Sequence, residues 1–400
     1  FYKNVLQQMV ESEGVKVIIS NKECGLTYHG RQKSVERKKL FKGETLKKKE
    51  FYHINSAVCE DCRECVEMTG CPGLSRTFDA YGSKVSIDPQ ICVADSYCTK
   101  IKACPSFELV EVSDYHPTKY KSSKSPLDLE NLPAPRLVKT LDMISQGNDW
   151  RVVVTGVGGS GVTTISRILA EASREMDGRE DLDFKFMDQK GLAQRNGRVT
   201  GHLSIYRKGK GQGTVTPLGT ADLLVSPDLL DGSQAISFLS ESGKAIIDKD
   251  FQVPLSVLLD YESQQESLKE GKLREQINEK LGERVSLSSL KKISFDIFGK
   301  SVYASAMILG MAFQKGRIPF SEKNLEEAFR NTIHKNEFGN NWKAFGLGRK
   351  IVLEGEEAFL SPSNSDEGIN YLISLKGGLL PWENKKDILS RYHEVLKNLE

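Results

Sequence analysis

The chain has 400 residues, enough for two or three domains and at least one sizeable core, and its formal net charge of +2 argues against nucleic acid as a partner. No stretch approaches the roughly 20 apolar residues of a membrane span, and no signal-peptide pattern opens the sequence. Of eight cysteines, Cys24 stands alone and the other seven lie between Cys59 and Cys104. That crowding points to metal or cluster ligation in the reducing cytoplasm, not to a secreted disulfide framework.

In chain order, residues 1–28 read as a helix (Val5, Leu6, Met9, Val10), a strand (VKVIIS, 15–20) and a turn around Gly25. This is the expected end of an α/β domain whose remainder is absent, with Cys24 a buried thiol at the strand end. Residues 29–53 are expected to be a basic linker. It carries Arg31, Lys33, Arg37, Lys38, Lys39, Lys42, Lys47, Lys48 and Lys49 against Glu36 and Glu44. Residues 54–113 hold the cysteines. Residues 114–148, rich in Pro, Ser and Lys, read as a second linker crossing another domain's surface.

Residues 149–360 change character. RVVVTG is a buried strand, GVGGSG a glycine-rich turn, and VTTISRILAEASREM a helix with Val162, Ile165, Ile168, Leu169 and Ala172 on one face. Short apolar runs follow at 183–188, 202–207, 221–228 and 243–250, and from Ser301 the pattern is helical. Alternating strand and helix predict a largely parallel, helix-covered sheet. Residues 361–400 are a polar tail ending in an amphipathic helix. The expected fold class is therefore multidomain, α/β and α+β.

Two cysteine runs repeat one pattern. CEDCRECVEMTGCP places Cys59, Cys62 and Cys65 at C-x2-C-x2-C, then Cys71 before a proline. CVADSYCTKIKACP places Cys92, Asp95 and Cys98 on the same spacing, then Cys104 before a proline. Doubled triplets with a remote Cys-Pro are the pattern of a two-cluster ferredoxin, in which each remote cysteine ligates the other cluster. One loop reaches three corners of a cube and the fourth must be met from elsewhere. Cluster one then takes Cys59, Cys62, Cys65 and Cys104; cluster two takes Cys92, Cys98, Cys71 and, at its fourth corner, Asp95. A carboxylate is a harder ligand than thiolate, so cluster two is either a [4Fe–4S] closed by Asp95 or a [3Fe–4S] with that corner empty. Tetrahedral zinc is the competing reading of such cysteines.

Gly156, Gly158 and Gly161 stand at G-x-G-x-x-G between strand and helix, with Gly159 between them. The lysine position of a phosphate loop is Val162, which argues against an ATPase or GTPase. Asp188, at the end of the next strand, could meet a ribose, and Gln189 and Lys190 begin a polar, glycine-rich loop reaching Asn196. The turn equally fits a substrate phosphate or packing on a neighbouring domain. His202, at the head of a strand, reads as a structural hydrogen bonder.

These stretches together resemble a known family. The doubled cysteine motif with Asp95, ACPSF (103–107), GVGGSGV (156–162) and DQKGLAQRNG (188–197) resemble indolepyruvate ferredoxin oxidoreductases, of the thiamine-dependent 2-oxoacid:ferredoxin oxidoreductase family. The segments at 294–316 and 340–350 resemble the end of that family's gamma-type domain, and 14–24 its thiamine domain's last strand. The resemblance implies a two-cluster ferredoxin-like domain followed by a Rossmann-like gamma-type domain. It implies oxidative decarboxylation of a 2-oxo acid to an acyl-coenzyme A, with electrons passing through the clusters to soluble ferredoxin, in an oligomer. Gly156, Gly158, Gly159, Gly161, Asp188, Gln189 and Lys190 would be its cofactor or coenzyme A contacts. No thiamine diphosphate signature is present, so that cofactor and its magnesium are expected upstream or on a partner. A ferredoxin-fused NAD(P) reductase and a non-enzymatic iron–sulfur protein are the alternatives.

Overall fold

Ten residues of ordinary helix formers make α1 (Tyr2–Glu11), none of them buried. The VKVII run after it, expected as a strand, has no regular structure over 15–19, and its apolar side chains stand exposed. A strand needs a neighbour to take its backbone N–H and C=O groups, and among the described residues none pairs with it. The computed structural model describes residues 1–360 apart from 20, 22, 24, 72, 80–81, 90–91, 103, 117–127, 130, 175, 177–178, 192–196, 211–212 and 252–269, together with 390–391. Cys24 and the tail's expected helix thus lie outside the described residues.

The basic stretch expected as a linker holds most of α2 (Gly25–Phe41) and β1 (Leu46–Ile54). Lys, Arg, Gln and Glu are good helix formers even without an apolar stripe, so a search for periodicity passes over them. β1 belongs to a small unit with α3 (Glu64–Thr69), β2 (Leu74–Asp79), β3 (Gly82–Ile87), α4 (Tyr97–Lys100) and β4 (Phe107–Tyr115). β1 and β4 pair antiparallel from Leu46 opposite Tyr115 to Ile54 opposite Phe107, and β2 pairs with β3. The unit's core is small: Ile54, Val66, Leu74 and Val85 with Cys59 and Cys65.

Past that unit, described residues of the 114–148 segment run against the larger one. Arg349, almost wholly buried, donates to the carbonyls of Leu132 and Pro133 (3.2 and 3.1 Å), and Gln314 also donates to Pro133 (3.0 Å). The Val138 amide donates to Gly316 (2.9 Å). Prolines cannot donate, and here the carbonyls beside them find side-chain partners instead.

The larger unit runs α5 (Leu141–Ser145), β5 (Trp150–Val157), α6 (Val162–Arg174), β6 (Leu182–Lys190), β7 (Arg198–Arg207), β8 (Ala221–Ser226), α7 (Leu229–Gln234) and β9 (Leu239–Asp248). Then come α8 (Glu270–Leu281), β10 (Val285–Ser288), α9 (Leu290–Phe298), α10 (Ala304–Gln314), α11 (Glu322–Thr332) and α12 (Lys335–Glu354). Its six strands lie in the order β10-β9-β8-β5-β7-β6. β10, β9, β8 and β5 are parallel, but β7 runs antiparallel to both β5 and β6. The expected, largely parallel sheet is present, with β7 reversed within it: the link 191–197 is too short for a parallel crossover, which needs about a dozen residues or more. The architecture is α/β with a mixed sheet.

Both faces of the sheet are covered. Val152 and Val154 pack with Ile165, Leu169, α10 and α12 on one side, and Val153 packs with Leu229, Leu273 and Ile277 on the other. That alternation is the period of two of a strand buried on both faces. α10 is buried from Ala304 to Phe313 and lies against α12 at glycines. A Cβ on Gly310 would stand 2.0 Å from the Phe345 carbonyl oxygen, and one on Gly348 1.9 Å from that of Met307.

Candidate functional site

The two cysteine loops have the same backbone. Non-glycine residues with positive φ flank Cys62 (Asp61 at 55°, Arg63 at 62°) and likewise flank Asp95 (Ala94 at 58°, Ser96 at 62°). Such conformations cost energy in L-residues, and their repetition puts Asp95 at the position that Cys62 holds in the first loop. Both Cys62 and Asp95 are exposed. A short helix follows each, α3 and α4, carrying Cys65 and Cys98.

The thiols gather in two sets. Burial pushes the Cys65 thiol up to about 11, and the neighbouring Cys104, Cys62 and Cys59 add to it. Burial also raises Cys71, opposed by the amides of Gly73 and Leu74 and reinforced by Cys92 and Asp95. Cys98 is raised by burial and by Cys71 and Cys92. Each remote cysteine thus bears electrostatically on a thiol of the other loop, Cys104 on Cys65 and Cys71 on Cys98. Cys71 Sγ lies 3.6 Å from where a Cβ on Gly73 would be, and the Cys92 amide nitrogen 3.4 Å from it. Thiols raised in this way hold their protons until a metal displaces them.

Polar groups meet two of the sulfurs and two of the loop carbonyls. The Val85 amide donates to Cys59 Sγ (3.4 Å), and the Ser106 hydroxyl lies 3.0 Å from Cys104 Sγ. Lys84 Nζ donates to the Cys59 carbonyl (2.6 Å), and Lys33 Nζ to the Cys92 carbonyl. Asp95 Oδ1 accepts the Tyr97 amide (3.0 Å) at the start of α4. Among the described residues no three His, Cys, Asp or Glu side chains converge closely enough to hold a single metal ion.

The glycine-rich turn lies at the carboxyl ends of the parallel strands. Gly159 (φ +101°) and Gly161 (φ +93°) adopt conformations that L side chains rarely take, and a Cβ on Gly161 would stand 2.7 Å from Ser305 Cβ. Gly156 ends against Pro227 and Val162, and the Gly158 amide donates to the Gly197 carbonyl (2.8 Å). β5 and β8 are parallel neighbours, yet α6 covers one face of the sheet and α7 the other. The crevice between their carboxyl ends is a topological switch point, where open α/β sheets bind ligands.

Arg198 spans that crevice. Its Nε donates to Thr155 Oγ1 (3.4 Å), its Nη1 to Gln234 Oε1 (3.2 Å), and Asp231 Oδ1 lies 3.6 Å away. Burial raises the Asp231 carboxyl, and Arg198 opposes this. Sequence reasoning missed Arg198; the available signal was a cation at the head of the strand leaving a glycine-rich loop.

Asp188 is not where a dinucleotide would need it. β7 lies between β5 and β6, so the acid is one strand removed from the turn. Its Oδ1 faces Ser166 of α6 across Gly201, 3.0 Å from where a Cβ there would be, and burial raises it against the pull of Lys190. Gln189 and Lys190 are exposed at the end of β6, at the same edge of the sheet as the glycine turn. Gln194, Arg195 and Asn196 lie outside the described residues. His202 is buried, its Nδ1 accepting the Thr216 amide (3.3 Å) and its ring against Phe238.

Indolepyruvate oxidoreductase subunit IorB of Archaeoglobus fulgidus is 28% identical over 206 residues, 51% of this chain and 96% of that protein. Subunit IorA of the same organism is 35% identical over 103 residues, 26% of this chain but 14% of that protein. The gamma subunit of a keto/oxoacid ferredoxin oxidoreductase from Geobacter sulfurreducens superposes with a TM-score of 0.35 at 18% identity, over 51% of this chain and 98% of that one. Among the described residues no helix is long and apolar enough to cross a membrane. Residues 151–351, which run from β5 into α12 and include the glycine turn and Arg198, match the model of the pyruvate ferredoxin/flavodoxin oxidoreductases, and the chain belongs to that family.

Proposed function

We propose that this chain is the electron-transfer and gamma-type part of an enzyme that oxidatively decarboxylates 2-oxo acids of the indolepyruvate, aryl-pyruvate class to acyl-coenzyme A. Electrons leave through two iron–sulfur clusters to a soluble ferredoxin. What supports the reading is the repeated cysteine loop, in which Cys104 bears on Cys65 and Cys71 on Cys98, in a chain whose other unit is of this oxidoreductase family. The names of its relatives supply the substrate class, since different lengths of the chain resemble the two subunits of indolepyruvate oxidoreductases.

The donors fit two clusters. Cys59, Cys62, Cys65 and Cys104 would hold a [4Fe–4S] cluster; Cys71, Cys92, Cys98 and Asp95 would hold a [4Fe–4S] or [3Fe–4S] one. Each cluster, when bound, supplies one-electron storage at a potential set by its type, net charge and hydrogen bonds. The chain's own contribution is to hold the thiolates, donate to their sulfurs through Val85 and Ser106, and cover them with Ile54, Val66 and Val85. Residues 54–113 are thus the proposed ferredoxin-like domain, with β1 and β4 bracing its ends, and 149–360 the gamma-type domain. Residues 1–28 are assigned to the end of a thiamine domain.

Thiamine diphosphate and its magnesium belong to an upstream or separate half of a cytoplasmic, oligomeric enzyme. The crevice at Gly156–Gly161 is assigned to coenzyme A. Glycine amides at a helix start and the Arg198 guanidinium suit its phosphates, with Asp188, Gln189 and Lys190 along the same edge. The exposed cations of α2 would steer an acidic ferredoxin.

The test is an anaerobic mixture of this chain with the thiamine-binding partner, indolepyruvate, coenzyme A and oxidised ferredoxin. Reduction of ferredoxin that requires all components is expected. No reduction with every component loaded, or reduction driven by NAD(P)H without the 2-oxo acid, would overturn the proposal.

A further inference from the structure

One offset in the chain carries Cys59, Cys62, Cys65 and Cys71 onto Cys92, Asp95, Cys98 and Cys104. Cys59 and Cys92 are therefore the same residue of the repeat, the first donor of each loop. An ammonium donates to the backbone carbonyl of each: Lys84 Nζ to Cys59 at 2.6 Å, and Lys33 Nζ to Cys92. Duplication does not account for this. Lys84 comes from β3, the hairpin strand between the two loops, and Lys33 from α2, a helix ahead of both. Two unrelated elements thus bring a cation to the same atom of each loop, and both lysines are half-buried there.

A peptide carbonyl beside a ligating cysteine is about one residue's span from the sulfur. A fixed positive charge at that distance, partly shielded from solvent, favours the more negative, reduced state of whatever the sulfur holds. Outer contacts of this kind are a recognised lever on a metal centre's potential. The two loops differ in how the cation is held. Lys84 sits within the small unit, where Val85 next to it donates to Cys59 Sγ. Lys33 is carried by a helix whose other Arg and Lys side chains, Arg31, Arg37, Lys38 and Lys39, are exposed.

We propose that Lys84 and Lys33 set the reduction potentials of the two clusters, Lys84 acting on the one held by Cys59, Cys62, Cys65 and Cys104, and Lys33 on the one held by Cys71, Cys92, Cys98 and Asp95. The inference rests on the cluster assignment above. It gives α2 a part in tuning the second cluster: the helix whose Arg31, Arg37, Lys38 and Lys39 are exposed also holds that cluster's cation.

The experiment is an EPR-monitored redox titration of the anaerobically purified chain, wild type against K84Q, K84R, K33Q and K33R, with iron and sulfide counted in each. K84Q should move the first cluster's midpoint to more negative potential, on the order of 59 mV for a tenfold change in a one-electron equilibrium, and leave the second in place. K33Q should do the reverse. The arginine variants, which keep the charge, should stay near wild type; a merely structural tether would not give this pattern. Lys33 lies on a surface helix, so K33Q and K33R keep the comparison available where K84Q fails to assemble. Fully loaded variants with unchanged midpoints would overturn the inference and leave the clusters standing. Wild-type protein without iron and sulfide would instead overturn the cluster assignment.

Discussion

Gly161→Ala tests whether the glycine turn is built for a close approach or is merely short. The residue has φ +93°, and an added Cβ would stand 2.7 Å from Ser305 Cβ and 3.1 Å from its hydroxyl. Two costs separate. Holding an L-residue in the left-handed region costs roughly 1–2 kcal/mol. Forcing a methyl into the start of α10, which is buried along its length, costs roughly 1–3 kcal/mol. Together they give about 2–5 kcal/mol, or a fall in Tm of roughly 4–20 °C for a unit of this size. Ser305→Gly removes the clashing atoms and leaves the backbone strain. In that background Gly161→Ala should therefore cost only the first part, about 1–2 kcal/mol. Urea melts of the four proteins, followed by tryptophan fluorescence, close the cycle. Equal cost in both backgrounds, or a cost below about 0.5 kcal/mol in wild type, would refute the reasoning.

Three further outcomes are expected. Burial holds His202 below its ordinary pKa of about 6.5, so the folded state favours the neutral ring. The associated stability is fully present above pH 6.5 or so and is lost as pH falls through the depressed value. His202→Gln should flatten the fall in Tm between pH 7.5 and 5.5, and an unchanged slope would show that other groups cause it. Arg198→Ala should raise the KM for coenzyme A about tenfold, since a charge-assisted hydrogen bond is worth roughly 1.5–3 kcal/mol, with a smaller effect on the KM for the 2-oxo acid. An equal rise for both substrates would remove Arg198 from the coenzyme site. Chelating the iron should unfold residues 46–115, whose apolar core is small. Limited proteolysis should then cut there and spare the six-stranded unit, whereas resistance throughout would show that the small unit stands without metal.

The parts legible in the sequence are those whose signal is local. Cysteine spacing announced the repeat, and Asp95 stood out because the rest of its loop matched. The glycines of the turn announced a tight strand-to-helix passage, and β5 and α6 formed where apolar period predicted. What escaped depends on partners distant in the chain. The direction of β7 is set by the short link from β6, and polarity alone does not reveal it. The VKVII run has the composition of a strand but lacks a neighbour among the described residues. α2 has helix-forming residues without a stripe, so periodicity was silent. Lys84 and Arg198 look like ordinary surface cations until the fold brings Lys84 to Cys59 and Arg198 to Thr155 and Gln234.

The central claim is that two iron–sulfur clusters sit in this chain, one of them with Asp95 at its odd corner. Anaerobic purification followed by iron and acid-labile sulfide counts, with EPR before and after dithionite, tests it most directly. About eight irons with a coupled reduced spectrum, or about seven with a three-iron signal in the oxidised protein, is the predicted result; the first has Asp95 closing the second cube and the second has it leaving the corner open. Zinc without sulfide would contradict the account.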